Sequence, residues 1–237
     1  MTSVIGNLQQ VRKRIATACA MAGRDVQTVT LLAVGKTFGA DAVREAIDAG
    51  QRAFGENYVQ EALAKIEALA DARDRIEWHL IGPLQANKTR VVAENFDWVH
   101  SVERLKIAQR LSEQRPPGLP PLQVCLQVNV SGEASKSGVA PAELPTLARA
   151  VAALPQVRLR GLMAIPEPID DPVAQRGPHR MLRELLDSLN AEGLGLDTLS
   201  MGMSADLEAA IAEGATIVRV GTAIFGGRTA PHAPSQG

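Results

Sequence analysis

The amino-acid sequence predicts an α/β protein that folds as a single (βα)8 barrel of the TIM type with an extra N-terminal helix. Eight short apolar segments recur along the 237 residues, and a helix-sized stretch follows each of them. An amphipathic segment precedes the first strand, and no G-x-G-x-x-G motif follows it, which disfavours the competing open, doubly wound sheet. The predicted strands are residues 28–34, 52–55, 77–82, 97–101, 122–130, 157–165, 197–202 and 215–221.

The helices are predicted from apolar residues that recur every three or four positions. In the N-terminal segment these residues are Ile5, Leu8, Val11, Ile15 and Cys19. Comparable stretches, such as 41–50 and 142–154, separate the strands. We therefore expect one domain over residues 1–237, with a barrel core over about 28–228 and a flexible tail over 229–237.

The composition is that of an ordinary water-soluble protein, with 46% hydrophobic and 22% charged residues and a net charge of −1. Near-neutral charge and 3% aromatic residues disfavour a nucleic-acid surface. No segment reaches the ~18 apolar residues that a membrane span needs. Cys19 and Cys125 stand in apolar surroundings without a metal-binding spacing, so we expect buried thiols, no metal and a cytoplasmic location.

A lysine ends the first predicted strand, in the stretch LLAVGKTF. Side chains alternate along a strand, so Lys36 is expected on the same face as Val34, Leu32 and Thr30. Pointing inward, its amine would lie at the mouth of the barrel between apolar walls, where desolvation favours the neutral form that attacks aldehydes. The alternative is a lysine that extends into solvent, and for Lys36 taken alone this alternative is favoured.

Two glycine-containing turns near the C-terminus predict an anion site. Ser204 follows a strand and a glycine, at a position typical of a helix N-cap. Gly221 and Thr222 follow the last strand, and the loops after strands seven and eight of such barrels often hold phosphate. Each turn alone is more often only a cap or a turn. Opposite Lys36, the two together predict a phosphorylated aldehyde, namely pyridoxal phosphate.

Arg219 is expected to point into the same mouth, near the pyridine nitrogen of such a cofactor. A guanidinium only donates hydrogen bonds, so it would leave that nitrogen unprotonated and the cofactor a weak electron sink. Ser200, at the end of the neighbouring strand, is predicted to orient the guanidinium. The alternative for Arg219 is an ion pair with an acidic residue of a loop.

Three further residues have two readings each. Asn57 ends the second strand, where it could touch a cofactor or cap the next helix, and capping is favoured. His79 lies inside the third strand and is favoured as a buried, hydrogen-bonded core histidine. Lys136 lies in a glycine- and serine-rich loop and is favoured as an exposed lysine over a second site for an aldehyde.

Several motifs resemble those of a known family, the pyridoxal phosphate homeostasis proteins, which are barrel-only relatives of the alanine racemase N-terminal domain. The motifs run in order from residue 33 to 226: AVGKT, FGENYVQE, WHLIGPLQANK, SKSG, GLMAI, LSMGMSADLEAAI and VRVGTAIFG. Departures are Gly35, where the family usually has serine, and Leu80, where it usually has an aromatic residue or methionine.

The resemblance implies a fold-type III barrel that binds pyridoxal 5'-phosphate. It implies that Lys36 carries the Schiff base and that Arg219 faces the ring nitrogen. It also implies that Ser204, Gly221 and Thr222 hold the phosphate and that Asn57 lies beside the cofactor.

Turnover is not expected to be efficient. Racemisation needs a base on each face of the cofactor, and in the racemases that this barrel resembles the second base is a tyrosine from a β-rich domain. Here the barrel is expected to use residues 28 to about 228, and the sole tyrosine, Tyr58, adjoins Asn57. The leading hypothesis is a monomeric carrier that buffers pyridoxal phosphate or delivers it to apo enzymes, with indirect effects on amino-acid and keto-acid pools. The alternatives are a racemase completed by a homodimer partner and an interaction module without a cofactor.

Overall fold

Eight parallel strands form a closed barrel in which each strand pairs with its sequence neighbours and β8 pairs with β1. The structure, a computed structural model, describes residues 3–132 and 137–226. The strands are β1 Thr30–Val34, β2 Ala53–Glu56, β3 Glu77–Leu80, β4 Trp98–Val102, β5 Leu122–Gln127, β6 Val157–Met163, β7 Thr198–Ser200 and β8 Ile217–Val220. The predicted fold class and all eight predicted strands are confirmed.

Helices follow the strands and form the outer layer. They are α1 Val4–Met21, α2 Ala40–Asp48, α3 Val59–Ala68, α4 Thr89–Asn95, α5 Leu105–Gln114, α6 Leu144–Ala152, α7 Arg176–Ala191, α8 Leu207–Ala212 and α9 Thr222–Phe225. Among the described residues, every helix is too short or too polar to cross a membrane. The tail 229–237 lies outside the described ranges, so the bounds of the domain stay a prediction.

The extra N-terminal helix is confirmed and packs against α8 and α9. It begins after Ser3, whose Oγ accepts a hydrogen bond from the Gly6 amide at 3.2 Å. Leu8, Val11, Ile15 and Cys19 of the predicted stripe are buried, but Ile5 is 44% exposed. Ile5 precedes Leu8 by three residues, which is less than a full helical turn, so Ile5 lies at the edge of the stripe and not at its centre.

Two apolar layers hold the barrel. Inside it, side chains from most of the strands form one small cluster: Leu32, Val34, Ala53, Ile81, Trp98, Cys125, Met163 and Ile217. Outside it, Leu31 and Ala33 of β1 join a much larger cluster with the helices. The alternation confirms that Leu32 and Val34 share the inward face. Both cysteines are buried free thiols, as predicted, and burial raises the pKa of Cys125 to about 12.

Strands β6 and β7 approach so closely at Gly161 that the position excludes any side chain. Gly161 pairs with Thr198, and a Cβ atom at residue 161 would lie 1.8 Å from the Thr198 carbonyl oxygen. The clash is with backbone, which cannot move without opening the sheet. The approach sets the position of β7, which carries Ser200.

We expect Gly161→Ala to lower the free energy of unfolding by about 3 kcal/mol or to prevent folding, because overpacking against backbone is not relieved by rotamer changes. Urea unfolding followed by circular dichroism measures the loss. Gly118→Ala is the matched control, since a Cβ atom there has nothing within 4 Å. Equal stability of the two variants would contradict the close approach.

Candidate functional site

Lys36 lies in a turn that follows β1, at the C-terminal rim of the barrel. The turn is closed by a hydrogen bond from the Phe38 amide to the Gly35 carbonyl at 3.1 Å, and Thr37 adopts a left-handed conformation with φ of 68°. Lys36 is exposed, and its amine has no hydrogen bond or ion pair within the described residues. The expectation that apolar walls desolvate the amine is wrong, because β1 ends at Val34 and the turn carries the lysine to the surface.

A buried ion pair braces this turn from below. Lys65 of α3 donates hydrogen bonds to the Gly35 carbonyl at 2.6 Å and to Glu56 Oε1 at 2.7 Å. Both side chains are almost fully buried, and burial raises the pKa of Glu56 despite the nearby ammonium group. The Thr37 amide also donates to Glu61 Oε2 at 3.2 Å. Sequence reasoning missed Lys65, although it follows the buried Ala62 by three residues on α3.

The brace accounts for glycine at position 35. A Cβ atom there would lie 2.7 Å from Glu56 Oε1, closer than real contacts allow. With glycine, the carboxylate can approach the turn and still hold Lys65. Glycine at position 35, where the family usually has serine, therefore suits the local packing.

Arg219 is buried in β8 with its backbone beside Leu32 of β1. Its Nη1 donates to Ser200 Oγ at 2.9 Å, and its Nη2 donates to the Ala164 carbonyl at 2.9 Å. Burial lowers the pKa of the guanidinium to about 10, so the group stays charged at neutral pH. The predicted contact with Ser200 is present. The alternative of an ion pair with a loop acid is not found within the described residues.

A line of buried polar side chains continues from Ser200 into the barrel. Ser200 Oγ lies 2.7 Å from His100 Nδ1, and His100 Nε2 lies 2.9 Å from His79 Nδ1. Burial lowers the pKa of both imidazoles, and that of His100 well below its usual value. His79 is thus the buried, hydrogen-bonded histidine predicted from the sequence. His100 was missed, although it follows Trp98 by two residues and so lies on the same face of β4.

The turn after β7 is closed by Asp206. Its Oδ1 accepts from the Met203 amide at 2.7 Å, and its Oδ2 accepts from His179 Nε2 at 2.9 Å. Burial would raise the pKa of this carboxyl, but the hydrogen bonds from His179 and Met203 hold it below the usual value. The predicted N-cap role of Ser204 is wrong, because α8 begins at Leu207 and Asp206 occupies the N-cap position.

The turns after β7 and β8 lie side by side and leave backbone amides free. The Arg219 amide donates to the Gly202 carbonyl at 3.0 Å, which ties the first turn to β8. In the second turn, the Ile224 and Phe225 amides both donate to the Gly221 carbonyl. Within the described residues, several amides of these turns have no backbone acceptor, among them those of Ser204, Ala205, Thr222 and Ala223.

The second turn also touches the strand that leads to Lys36. A Cβ atom at Gly221 would lie 3.1 Å from the Val34 carbonyl oxygen. The lysine, the two turns and Arg219 therefore belong to one end of the barrel, as the sequence predicts. Arg219 lies in β8, and the segments after β1, β7 and β8 carry Lys36, Ser204 and Thr222.

Asn57 is not a helix cap. The N-cap of α3 is Tyr58, and no side-chain hydrogen bond caps that helix. Asn57 Oδ1 is buried and has no partner among the described residues. A buried amide oxygen without a donor is uncommon in folded proteins and is typical of a group that meets a ligand or water. The residue is held by close packing against Gly82, where a Cβ atom would lie 2.0 Å from the Asn57 carbonyl oxygen.

The residues present suit a phosphorylated aldehyde with a ring nitrogen. Free backbone amides suit a phosphate, and a charged guanidinium without a carboxylate partner has donors left for a nitrogen lone pair. The unpartnered Asn57 oxygen and the exposed Lys36 amine complete the set. Lys136 lies outside the described residues.

The fold and this rim define the class of protein. The family model described as "Alanine racemase, N-terminal domain" matches residues 6–229. A "Pyridoxal phosphate homeostasis protein" of Pseudomonas aeruginosa is 66% identical over 96% of this chain and 97% of that protein. The protein of the same name from Escherichia coli K12 is 55% identical over 96% and 98%.

A solved structure agrees with these relatives. PipY of Synechococcus elongatus, solved with PLP bound, is 40% identical, with a TM-score of 0.78 over 90% of this chain and 100% of PipY. The chain belongs to the pyridoxal phosphate homeostasis protein family.

The two buried histidines predict a loss of stability in mild acid. Their pKa values are lowered in the folded state, so the unfolded chain binds more protons below pH 6.5. Stability is then fully present above pH 6.5 and falls as the pH drops, by about 1.4 kcal/mol per pH unit for each proton taken up. Urea unfolding between pH 5 and pH 8 measures the slope. His100→Gln should reduce it, and an unchanged slope would contradict burial of a neutral His100.

Proposed function

We propose that the protein binds pyridoxal 5'-phosphate and acts in intracellular homeostasis of this cofactor, by buffering it or delivering it to other proteins. The observation that carries the proposal is the convergence, at one rim, of Lys36, the buried Arg219 and two turns with free amides. The curated relatives that bear this name and the PLP-bound structure of PipY support it.

Each part of the rim has a role in binding. Lys36 supplies the amine for covalent attachment to the aldehyde. The turn that contains Ser204 and the turn of Gly221 and Thr222 hold the phosphate through backbone amides and hydroxyl groups. Asn57 Oδ1 accepts a hydrogen bond beside the bound cofactor.

Arg219 recognises the ring nitrogen. A guanidinium with a pKa of about 10 does not release its proton at neutral pH, so it donates to the nitrogen and leaves it unprotonated. When bound, the cofactor supplies an electron sink, and this arrangement keeps that sink weak. Ser200 is a part of the site because it fixes the guanidinium from behind.

The exposed Lys36 favours a carrier over an efficient enzyme. Catalysis gains most from groups held in a dry, preorganised site. Here the attachment point lies in a solvent-exposed turn. The sole tyrosine of the sequence, Tyr58, is 56% exposed. The described residues of the site supply no base for the second face of the cofactor, which racemisation would need.

The remaining parts of the proposal concern partners and location. Apo forms of enzymes that depend on pyridoxal phosphate are the proposed recipients, and a monomer is favoured over a dimer. Both cysteines are unpaired thiols, which suits the reducing cytoplasm.

Attachment at Lys36 is tested by colour and mass. Wild-type protein mixed with pyridoxal phosphate should show the visible absorbance of the linked cofactor, and borohydride reduction should fix the added mass on the peptide that contains Lys36. Lys36→Ala should lose both signals. Lys13→Ala, which removes an exposed lysine of α1, is the matched control.

Two outcomes would count against this reading. A coloured Lys36→Ala protein would place the cofactor on another lysine, and Lys65 of α3, which contacts the same turn, would be the first candidate. Wild-type protein that stays colourless, and that shows no binding of pyridoxal phosphate with which inorganic phosphate competes, would favour an interaction module without a cofactor.

Proton exchange separates the carrier from a racemase. We expect loaded wild-type protein in D2O to exchange the α-proton of L-amino acids no faster than free pyridoxal phosphate does, because the described residues supply no second base at the site. Proton NMR measures the exchange. Rapid exchange that disappears in Lys36→Ala would establish racemase-type chemistry and overturn the carrier hypothesis.

A further inference from the structure

A single line of polar side chains runs through the otherwise apolar interior of the barrel. It leads from Arg219 at the proposed site through Ser200 and His100 to His79, with contacts of 2.9, 2.7 and 2.9 Å. All four residues are at most 3% exposed. Beyond His79, Glu77 Oε2 lies 3.7 Å from the imidazole Nε2, which is longer than a direct hydrogen bond.

Buried polar groups of this kind are costly unless each donor meets an acceptor. The line therefore restricts which nitrogen of each histidine carries the proton. These positions can be assigned in turn, starting from one end of the line. Arg219 provides the fixed end, because a guanidinium has donors and no acceptor.

The direction of every hydrogen bond follows from Arg219. Ser200 Oγ accepts from Nη1, so its own proton goes to His100 Nδ1, the remaining neighbour at 2.7 Å. His100 then carries its proton on Nε2 and donates it to His79 Nδ1. His79 in turn carries its proton on Nε2, which has no hydrogen-bond partner among the described residues but faces the Glu77 carboxylate at 3.7 Å.

The reverse direction leaves the Ser200 proton without an acceptor and turns the lone pair of His79 Nε2 towards the Glu77 carboxylate. If His100 were protonated on Nδ1, both it and Arg219 would donate to Ser200 Oγ. The hydroxyl proton of Ser200 would then be buried without a partner, at a cost of about 1–3 kcal/mol. Protonating both nitrogens of His100 would place a further positive charge near Arg219, and burial already disfavours it.

Ring stacking holds the far end of the line. The His79 ring is stacked on Trp98 with centroids 5.3 Å apart and planes within 6°. The guanidinium of Arg160 lies 4.9 Å from the Trp98 ring centroid. The orientation of His79 is thus fixed by packing as well as by its hydrogen bond to His100.

We infer that His100, supported by His79, is a positioning residue for the ring-nitrogen contact of the cofactor. His100 acts through Ser200. Because the Ser200 proton is donated to His100, Ser200 Oγ accepts a hydrogen bond from one side of the Arg219 guanidinium. The other donors of Arg219 stay available for the ring nitrogen. The inference rests on the proposed function, and it assigns a role in cofactor affinity to a residue that lies two hydrogen bonds away from Arg219.

The proton arrangement is tested without any cofactor. Nitrogen-15 NMR of the histidine side chains, assigned with His79→Gln and His100→Gln, should show both imidazoles neutral with the proton on Nε2. A proton on Nδ1 of His100 would overturn the direction of the line and with it the inference.

The role in affinity is tested by three variants and a titration with pyridoxal phosphate. His100→Leu keeps the volume but removes the acceptor, and we expect its dissociation constant to rise about tenfold together with a shift of the absorbance maximum. His100→Gln retains an acceptor and a donor and should stay within about threefold of wild type. Ile217→Val shortens an apolar side chain of the same interior and leaves every polar group of the line in place, so it should lower stability but leave the affinity and the absorbance maximum unchanged.

The outcomes separate the two proposals. Wild-type protein that does not bind pyridoxal phosphate would refute the proposed function. Wild-type binding with equal affinity and spectrum in His100→Leu would refute the positioning role alone. If His100→Leu does not fold, Ser200→Ala takes its place, because it breaks the same line next to Arg219, and an unchanged spectrum in that variant would refute the role equally.

Discussion

A charged guanidinium buried without a carboxylate partner is the constraint on which the rim and the interior of the barrel depend. Removing Arg219 from water is costly, and no ion pair within the described residues offsets that cost. Neutral acceptors compensate instead: Ser200 Oγ and the Ala164 carbonyl. Neutral acceptors satisfy hydrogen bonds without cancelling charge. Asp206 acts on the guanidinium electrostatically but forms no ion pair with it, so the guanidinium keeps hydrogen-bond donors and positive charge for an anionic, electron-rich ligand.

The same constraint explains why histidines occur in a barrel core. Ser200 must be a pure acceptor towards Arg219, so its proton needs a buried acceptor in turn. The neutral imidazole of His100 is that acceptor. The proton on its other nitrogen needs a buried acceptor too, and His79 provides it. Buried carboxylates at these positions would have paired with Arg219 and offset its charge. The polar line and the free guanidinium are thus two parts of one arrangement.

The fold could be predicted from the sequence because parallel strands covered on both faces form short apolar runs that helices separate. Strand ends were overestimated, as in 122–130 against Leu122–Gln127, because apolar residues continue past the last paired residue. The inward face of β1 and the contact between Ser200 and Arg219 were also predicted, since both follow from alternation along neighbouring strands. These features depend on local period and strand order, which the sequence carries directly.

The parts that were missed depend on partners distant in sequence. Lys65 reaches the Gly35 carbonyl 30 residues away, and His100 meets Ser200 100 residues away. Local capping rules also gave wrong roles to Ser204 and Asn57, because tertiary contacts decide where α8 and α3 begin. The turn that carries Lys36 contains a left-handed Thr37, a conformation that a non-glycine residue seldom adopts and that no sequence pattern here signals.

The groups proposed for recognition and for attachment, Arg219 and Lys36, are held differently in this rim, and that difference fits the proposed function. Arg219 is buried and is held by two hydrogen bonds, so its guanidinium has a fixed position. Lys36 lies in an exposed turn whose backbone, and not whose amine, is fixed by Lys65. A carrier must select one cofactor and yet release it, which requires a rigid recognising group and a covalent link open to water and to competing amines. A racemase needs the opposite at its lysine, a dry site that holds the amine at the reacting atoms.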